Sequence, residues 1–321
     1  MNIYYVMKYS FLVVVIGLTQ ACSLNIPIDN PDISETPYNP GDNTRAIQLN
    51  LIDSFDENHQ IAQGHLKINF LHEKEALKAS PFIIESLKKE IASRKLPIEY
   101  SSSAENTIEI QKFEILNHRV SGFSPMVTIS IIKAVLTTPN GKKNLSAMIK
   151  RGKVPVWSMS EVNEPCYNQP VELLIKELAA KINREIIGYS LDDSQVRTLV
   201  NKIDAEAETN KLSYFYVYEL GFSNNTTAIE PLKIFAKHKG DYIRMAAMSS
   251  LGILGVEGYL GDLIATYKSA NLWQDRGMAL KAIGDIGNDD AVNFLMQERT
   301  RWEGQTSDEA KWNTLIIDLY L

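Results

Sequence analysis

The sequence predicts an α+β fold: a two-layer α/β sandwich followed by a short all-α domain of stacked helical repeats. Three observations predict it. Segments with two-residue apolar alternation fill the first half of the chain, two amphipathic helical stripes interrupt them, and a 32-residue pattern is duplicated near the C-terminus. With 321 residues the chain accommodates about two domains of ordinary size. Hydrophobic residues make up 45 % and charged residues 22 %, which places the chain among ordinary globular proteins. A net charge of −6 provides no basic face to neutralise phosphates, so nucleic acid is excluded as a partner class.

In chain order, residues 1–21 come first. Lys8 precedes the apolar run FLVVVIGLTQA (11–21), and a small residue precedes Cys22. A charged start, a short apolar stretch and a small-residue processing site are the parts of an export signal, and the run is too short to span a bilayer. Residues 22–43 then carry Pro27, Pro31, Pro37 and Pro40 among Asp29, Asp32, Glu35 and Asp42, with no basic residue. That composition predicts a disordered spacer.

Residues 44–190 are expected to form the sandwich. AIQLNL (46–51) alternates Ile47, Leu49 and Leu51 against Gln48 and Asn50, and HLKINF sets Leu66, Ile68 and Phe70 opposite Lys67 and Asn69. After Ser80-Pro81, an N-cap with proline at the first helical position, Phe82, Ile83, Leu87 and Ile91 lie on one helical stripe. TIEIQKFEI (107–115) and MVTISIIKAVLTT (126–138) return to strand pattern, and Pro139-Asn140-Gly141 signals a hairpin turn. Pro170 opens a second helix with Val171, Leu174, Leu178, Ile182 and Ile186 at helical spacing, stopped by Gly188.

Residues 191–321 are expected to be all helix. IRMAAMSSLGILG (243–255) and DRGMALKAIGDIG (275–287) align with an offset of 32: Arg244 with Arg276, Ala247 with Ala279, Leu251 with Ile283, Gly252 with Gly284, Gly255 with Gly287. Gly252 and Gly284 lie inside the helix, where glycine costs about 1 kcal/mol against alanine. A cost repeated at one place implies close backbone packing there. Gly255 and Gly287 serve as helix stops. YVYELG (216–221) reads as a degenerate earlier copy, and AVNFLMQER with the segment 307–321 completes or caps the stack.

Two resemblances follow from these residues. Leu18, Thr19, Gln20, Ala21 and Cys22 resemble the lipobox of bacterial lipoproteins, with Thr19 where leucine is commonest. The resemblance implies cleavage before Cys22 and acylation of its thiol and amine by diacylglyceryl and palmitate-type chains. Ser23, in place of aspartate, then favours the outer membrane and a periplasm-facing body. The duplicated pattern resembles HEAT-like repeats of the bilin-lyase type over roughly residues 205–321, which implies protein binding, with Arg244 and Arg276 in a structural arginine ladder. Asp275 departs from that pattern at the first position of the second copy. The order strand, helix, strands, hairpin, helix is similar to small envelope lipoproteins of the lipopolysaccharide-assembly and transport-auxiliary type.

The expected role is a scaffold or adaptor for another envelope protein; an accessory of an envelope transport system, using the α+β domain, is the alternative. Trp273 and Trp302 are the candidate anchors, because tryptophan is enriched at binding hot spots; core packing is their other role. No catalytic motif, metal site or cofactor fingerprint is expected. His59, His65, His72, His118 and His238 lack metal-ligand spacing, and His65 and His72 would face opposite sides of a continuous strand. Asp192-Asp193 and Asp289-Asp290 read as helix-start charges. With Cys22 consumed by modification, Cys166 is an inert thiol.

Overall fold

The computed structural model describes residues 23–40, 45–55 and 59–321. The export signal and the lipidation site at Cys22 therefore lie outside the described residues.

The first described residues are part of the fold and not a spacer. β1 (Leu24–Pro27) runs parallel to β4 (Ile68–His72), which pairs antiparallel with β5 (Glu75–Ala76). Ile26, Ile28 and Tyr38 are buried. Further along, Ser34 donates from its backbone N and its Oγ to the Glu90 carboxylate at 2.8 and 2.6 Å. The buried Arg94 guanidinium donates to Glu90 at 3.0 Å, to the Thr36 carbonyl at 3.0 Å and to Glu219 at 2.6 Å. The composition was misleading for a physical reason. Leu24, Ile26 and Ile28 keep strand alternation, and Pro27 is tolerated because β1 is an edge strand whose outward N–H is not needed.

The main sheet comprises β2 (Ile47–Asp53), β3 (Ala62–Gly64), β6 (Ile98–Tyr100), β7 (Asn106–His118), β8 (Met126–Thr138), β9 (Gly141–Asn144) and β10 (Ala147–Lys153). Its order is β10-β8-β7-β2-β6, with β3 on β7 and β9 on β8. β2 is parallel to both β6 and β7, while β7, β8 and β10 form an antiparallel meander. A bulge between Ile110 and Lys112 resets the alternation of β7, so Ile108, Ile110, Phe113 and Ile115 all point to one face. That face, with Ile132, Ala134 and Leu136 of β8, is covered by α1 (Ala79–Ser93) and α2 (Gln169–Ile186). α1 starts one residue before Ser80, whose hydroxyl is bound to Asp53 and does not cap. α2 stops at Gly188, which has φ +86°.

The chain continues through α3 (Asp193–Glu206), α4 (Ser213–Phe222), α5 (Ile229–Phe235), α6 (Asp241–Ile253), α7 (Leu260–Ser269), α8 (Trp273–Ile286), α9 (Asp289–Trp302) and α10 (Asp308–Tyr320). α4, α6, α8 and α10 stand side by side in one row, with α5, α7 and α9 packed along it. The row is tight because each helix offers a glycine to its neighbour. A Cβ at Gly221 would lie 2.5 Å from the Ser250 Cβ, and one at Gly252 would lie 2.6 Å from the Ala282 Cα. One at Gly284 would overlap the Tyr320 ring. Gly255 and Gly287, at φ +68° and +61°, end α6 and α8 in the left-handed conformation that favours glycine. Asp192 caps α3 with a capping box, and Asp289 and Asp290 occupy the first turn of α9.

One hydrophobic core runs from Ile26 to Tyr320 without a break, joining the sheet region to the helical row. The expected division at residue 190 is therefore a change of secondary structure within a shared core.

Candidate binding site at the joint

Four charged side chains close the joint. Glu177 and Lys181 lie one turn apart on α2, and Lys281 and Asp285 lie one turn apart on α8. The Lys181 ammonium donates to Glu177 at 2.7 Å, Asp285 at 2.6 Å and the Ser146 carbonyl at 2.5 Å. The Lys281 ammonium donates to Glu177 and to the Ser249 hydroxyl, both at 2.6 Å, and pairs with the other Asp285 oxygen at 2.7 Å. Tyr320 of α10 donates to Asp285 at 2.7 Å. All four charges are buried and they sum to zero. Burial would lower the Lys281 ammonium, but Asp285 and Glu177 outweigh it and hold it above its ordinary value. Burial would raise Asp285, and the two lysines instead hold it below the usual carboxylate range.

A second tie lies on β10. The Arg151 guanidinium sits over the rings of both Tyr214 and Tyr242, 4.2 and 3.9 Å from their centroids, and the Tyr242 hydroxyl donates to the Gly152 carbonyl. Trp273 is part of a third. Its ring packs on Trp312 with centroids 4.2 Å apart, and the Lys150 ammonium lies 5.1 Å from its centre. Burial and the neighbouring Arg151 lower Lys150 to about 8. Trp302 is half-buried and its indole N–H donates to the Tyr267 hydroxyl at 2.8 Å. Both candidate anchors are thus engaged within the chain's own packing.

Arg244 and Arg276 have matching environments. Arg244 donates to the carbonyls of His238 and Lys239 and to Asp275 on the next helix of the row, at 3.1 Å. Arg276 donates to the carbonyls of Ala270 and Asn271 and to Glu309 on the next helix, at 2.6 Å. Asp275, the residue that departs from the duplicated pattern, is the acceptor for the preceding arginine.

Between the outer face of β7–β8 and α10 lies a cavity of about 260 Å³. Leu116, Ile129, Ile131 and Leu315 supply apolar walls, and His118, Asp308 and Lys311 supply the polar groups. His65 does not lie on a strand continuous with His72; it stands before β4, with its ring 4.6 Å from that of His118. His118 is 3.9 Å from Asp308 and edge-on to Trp312 at 5.2 Å. Among the described residues no three potential metal ligands cluster. The two histidines are brought together by the parallel pairing of β3 with β7, which nothing in their spacing of 53 residues announced. Cys166 is buried, and burial pushes its thiol up to about 11, which disfavours the thiolate.

Burial and the neighbouring His65 hold His118 below its ordinary value of 6.5. The neutral ring is favoured in the folded chain, so its stabilising effect is lost as pH falls through 6.5 toward the folded value. Proton NMR of the His118 ring is expected to give a midpoint below 6.5, and His65→Gln is expected to raise it. An unchanged midpoint in that variant would remove His65 as a cause.

Sequence reasoning missed a further feature. Phe123 and Trp157 are 99 % and 82 % exposed, and Val120 and Val154 beside them in sequence are exposed as well. They lie in the loops VSGFSP and VPVW, where exposed apolar side chains between turn residues were the available signal.

No family model matches the chain, and no curated protein matches it. Among solved structures it is similar to a minor lipoprotein from Acinetobacter baumannii, known from a 2.35 Å crystal structure. That similarity has 12 % identity and a TM-score of 0.26, and covers 43 % of this chain and 89 % of the other. Among the described residues no helix is long and apolar enough to cross a membrane.

Proposed function

We propose that the chain is a membrane-anchored lipoprotein of the bacterial envelope, tethered through acylated Cys22, that acts as a scaffold for another envelope protein and not as an enzyme. The observation that carries this reading is the matched pair Arg244 and Arg276. Each cross-braces two turn carbonyls to a carboxylate on the next helix, as stacked HEAT-like repeats would require. Such a row supplies an extended, rigid surface for a protein partner. Its buried charged groups are engaged with one another and support the fold.

The cavity against α10 favours a second reading, an envelope transport or lipid-assembly accessory that holds a ligand at the sheet. Its volume of about 260 Å³ is that of a small site. Site-specific photo-crosslinking in cells separates the two. A crosslinker at the exposed apolar positions Ile234, Leu272 or Met296 of the helical row is expected to capture one recurring envelope protein. Capture confined to Lys311 at the cavity would favour the second reading. No recurring product at any of these positions would contradict both.

A further inference from the structure

Val120, Phe123, Val154 and Trp157 belong to two loops, residues 119–125 after β7 and 154–158 after β10. Register places both at one end of the main sheet, since Lys153 pairs with Met126 and His118 pairs with Val127. Arg119 holds them together: its guanidinium donates to the Gly122 carbonyl at 2.6 Å within the first loop and to the Val156 carbonyl at 3.4 Å in the second. Two aromatic and two branched side chains in this one tip are exposed, whereas Phe113 of the same sheet is fully covered.

The start of the described chain is at that end too. β3 ends with Gly64 opposite Asn117, Leu66 donates its N–H to the Asn117 side chain at 2.7 Å, and Leu24 donates to the Lys67 carbonyl at 2.9 Å. Ser23, bonded to Asn69 at 2.9 Å, therefore begins the fold at the same end of the sheet as the turn that carries Phe123. The residue before Ser23 in sequence is Cys22, preceded by the apolar run 11–21. Neither loop contains an acidic residue; Arg119 opens the first, and Lys153, paired with Glu161 at 3.2 Å, precedes the second, in a chain whose net charge is −6.

We infer that this tip is a membrane-contact site: Phe123 and Trp157, with Val120 and Val154, enter the interfacial region of an anionic phospholipid bilayer beside the attachment point of the chain. Tryptophan and phenylalanine with neighbouring cations are the side chains suited to that boundary. A lipid on Cys22 alone leaves the protein free to swivel; a second contact at the same end fixes which face is turned away from the membrane. The inference rests on the anchored reading, and its test keeps the two separate.

The full chain is reconstituted into phosphatidylethanolamine–phosphatidylglycerol vesicles with and without brominated acyl chains. The emission contributed by Trp157, read as the difference between the native chain and Trp157→Phe, is expected to be quenched by bromine and shielded from aqueous acrylamide. Phe123→Ser is expected to weaken the local insertion about tenfold, the effect of losing one buried aromatic side chain, with a corresponding loss of bromine quenching. Trp157 emission that is open to acrylamide and insensitive to bromine, in chain that floats with the vesicles, would overturn the inference. So would a chain that does not float at all. The mass of the Cys22 peptide reports the anchor independently: bromine quenching with unmodified Cys22 would support the tip and refute the lipid anchor.

Discussion

Replacing Lys281 by methionine is expected to destabilise the folded chain by about 3–5 kcal/mol, the cost of breaking a buried ion pair from one side. Lys281 carries one of the two positive charges that balance Glu177 and Asp285 in the joint between α2 and α8. Without it the site holds a net buried negative charge, and the Ser249 hydroxyl loses its donor. Methionine keeps the length and apolar character of the stem, so the loss is electrostatic. Adding Glu177→Gln to Lys281→Met restores neutrality and leaves Lys181 bound to Asp285 at 2.6 Å. The double variant is therefore expected to be more stable than Lys281→Met alone, a coupling that a double-mutant cycle in urea measures. The pH dependence has a definite sign. Lys281 is held above 10.5, so its contribution is complete below that value and disappears as pH rises through the folded value. Asp285 is held below 3.8, so its contribution is complete above that value and disappears as pH falls through the folded one. Lys281→Met is expected to remove the Lys281 share of the alkaline loss, while buried tyrosines such as Tyr218 and Tyr320, held above their ordinary value of 10, keep theirs. An unfolding free energy that changes by less than about 1 kcal/mol would show the network to be of surface strength.

Gly252→Ala is expected to destabilise by about 1–3 kcal/mol, as overpacking does, although alanine is the better helix former by about 1 kcal/mol. The added methyl would meet the Ala282 Cα at 2.6 Å and the Ala282 carbonyl oxygen at 2.7 Å. Backbone cannot rotate away as a side chain can, so α6 and α8 must separate. Gly261→Ala in α7 is the control, because a Cβ there meets nothing within 4 Å. That variant is expected to be neutral or stabilising. A Gly252→Ala chain at least as stable as the native one would mean that the helical row is looser than described.

The parts of the fold that could be read from the sequence are those in which local pattern and burial agree. MVTISIIKAVLTT became β8 over its whole length, and the stripe from Val171 to Ile186 became α2. The 32-residue offset found Gly252 and Gly284, at which consecutive helices touch, and the degenerate copy supplied Gly221 at an offset of 31. What escaped were features decided by distant partners. Residues 24–40 have the composition of a spacer, but Ile26 and Ile28 are captured by β4, and Arg94 with Glu90 anchors the stretch after them. Lys281 and Asp285 have the i, i+4 spacing of a pair on one helix, and no local pattern announces their burial; they are buried because Glu177 and Lys181 face them from α2, 104 residues away. Asp275 broke the pattern of the duplicated segment yet completes it by accepting from Arg244. Tryptophan as a residue type pointed to Trp273 and Trp302, whereas Phe123 and Trp157 on loops are far more open.

These particulars share one cause: β10 and α2 are packed and charge-matched to α4, α6 and α8, so sheet and helical row form one cooperative body. Hydrogen exchange of the native full chain, followed segment by segment under increasing denaturant, tests this most directly. The slowest amides of β7, β8 and α8 are expected to exchange through one shared opening, with the same free energy and the same denaturant dependence. Amides of α6, α8 and α10 exchanging through an opening that leaves β7 and β8 protected would contradict it.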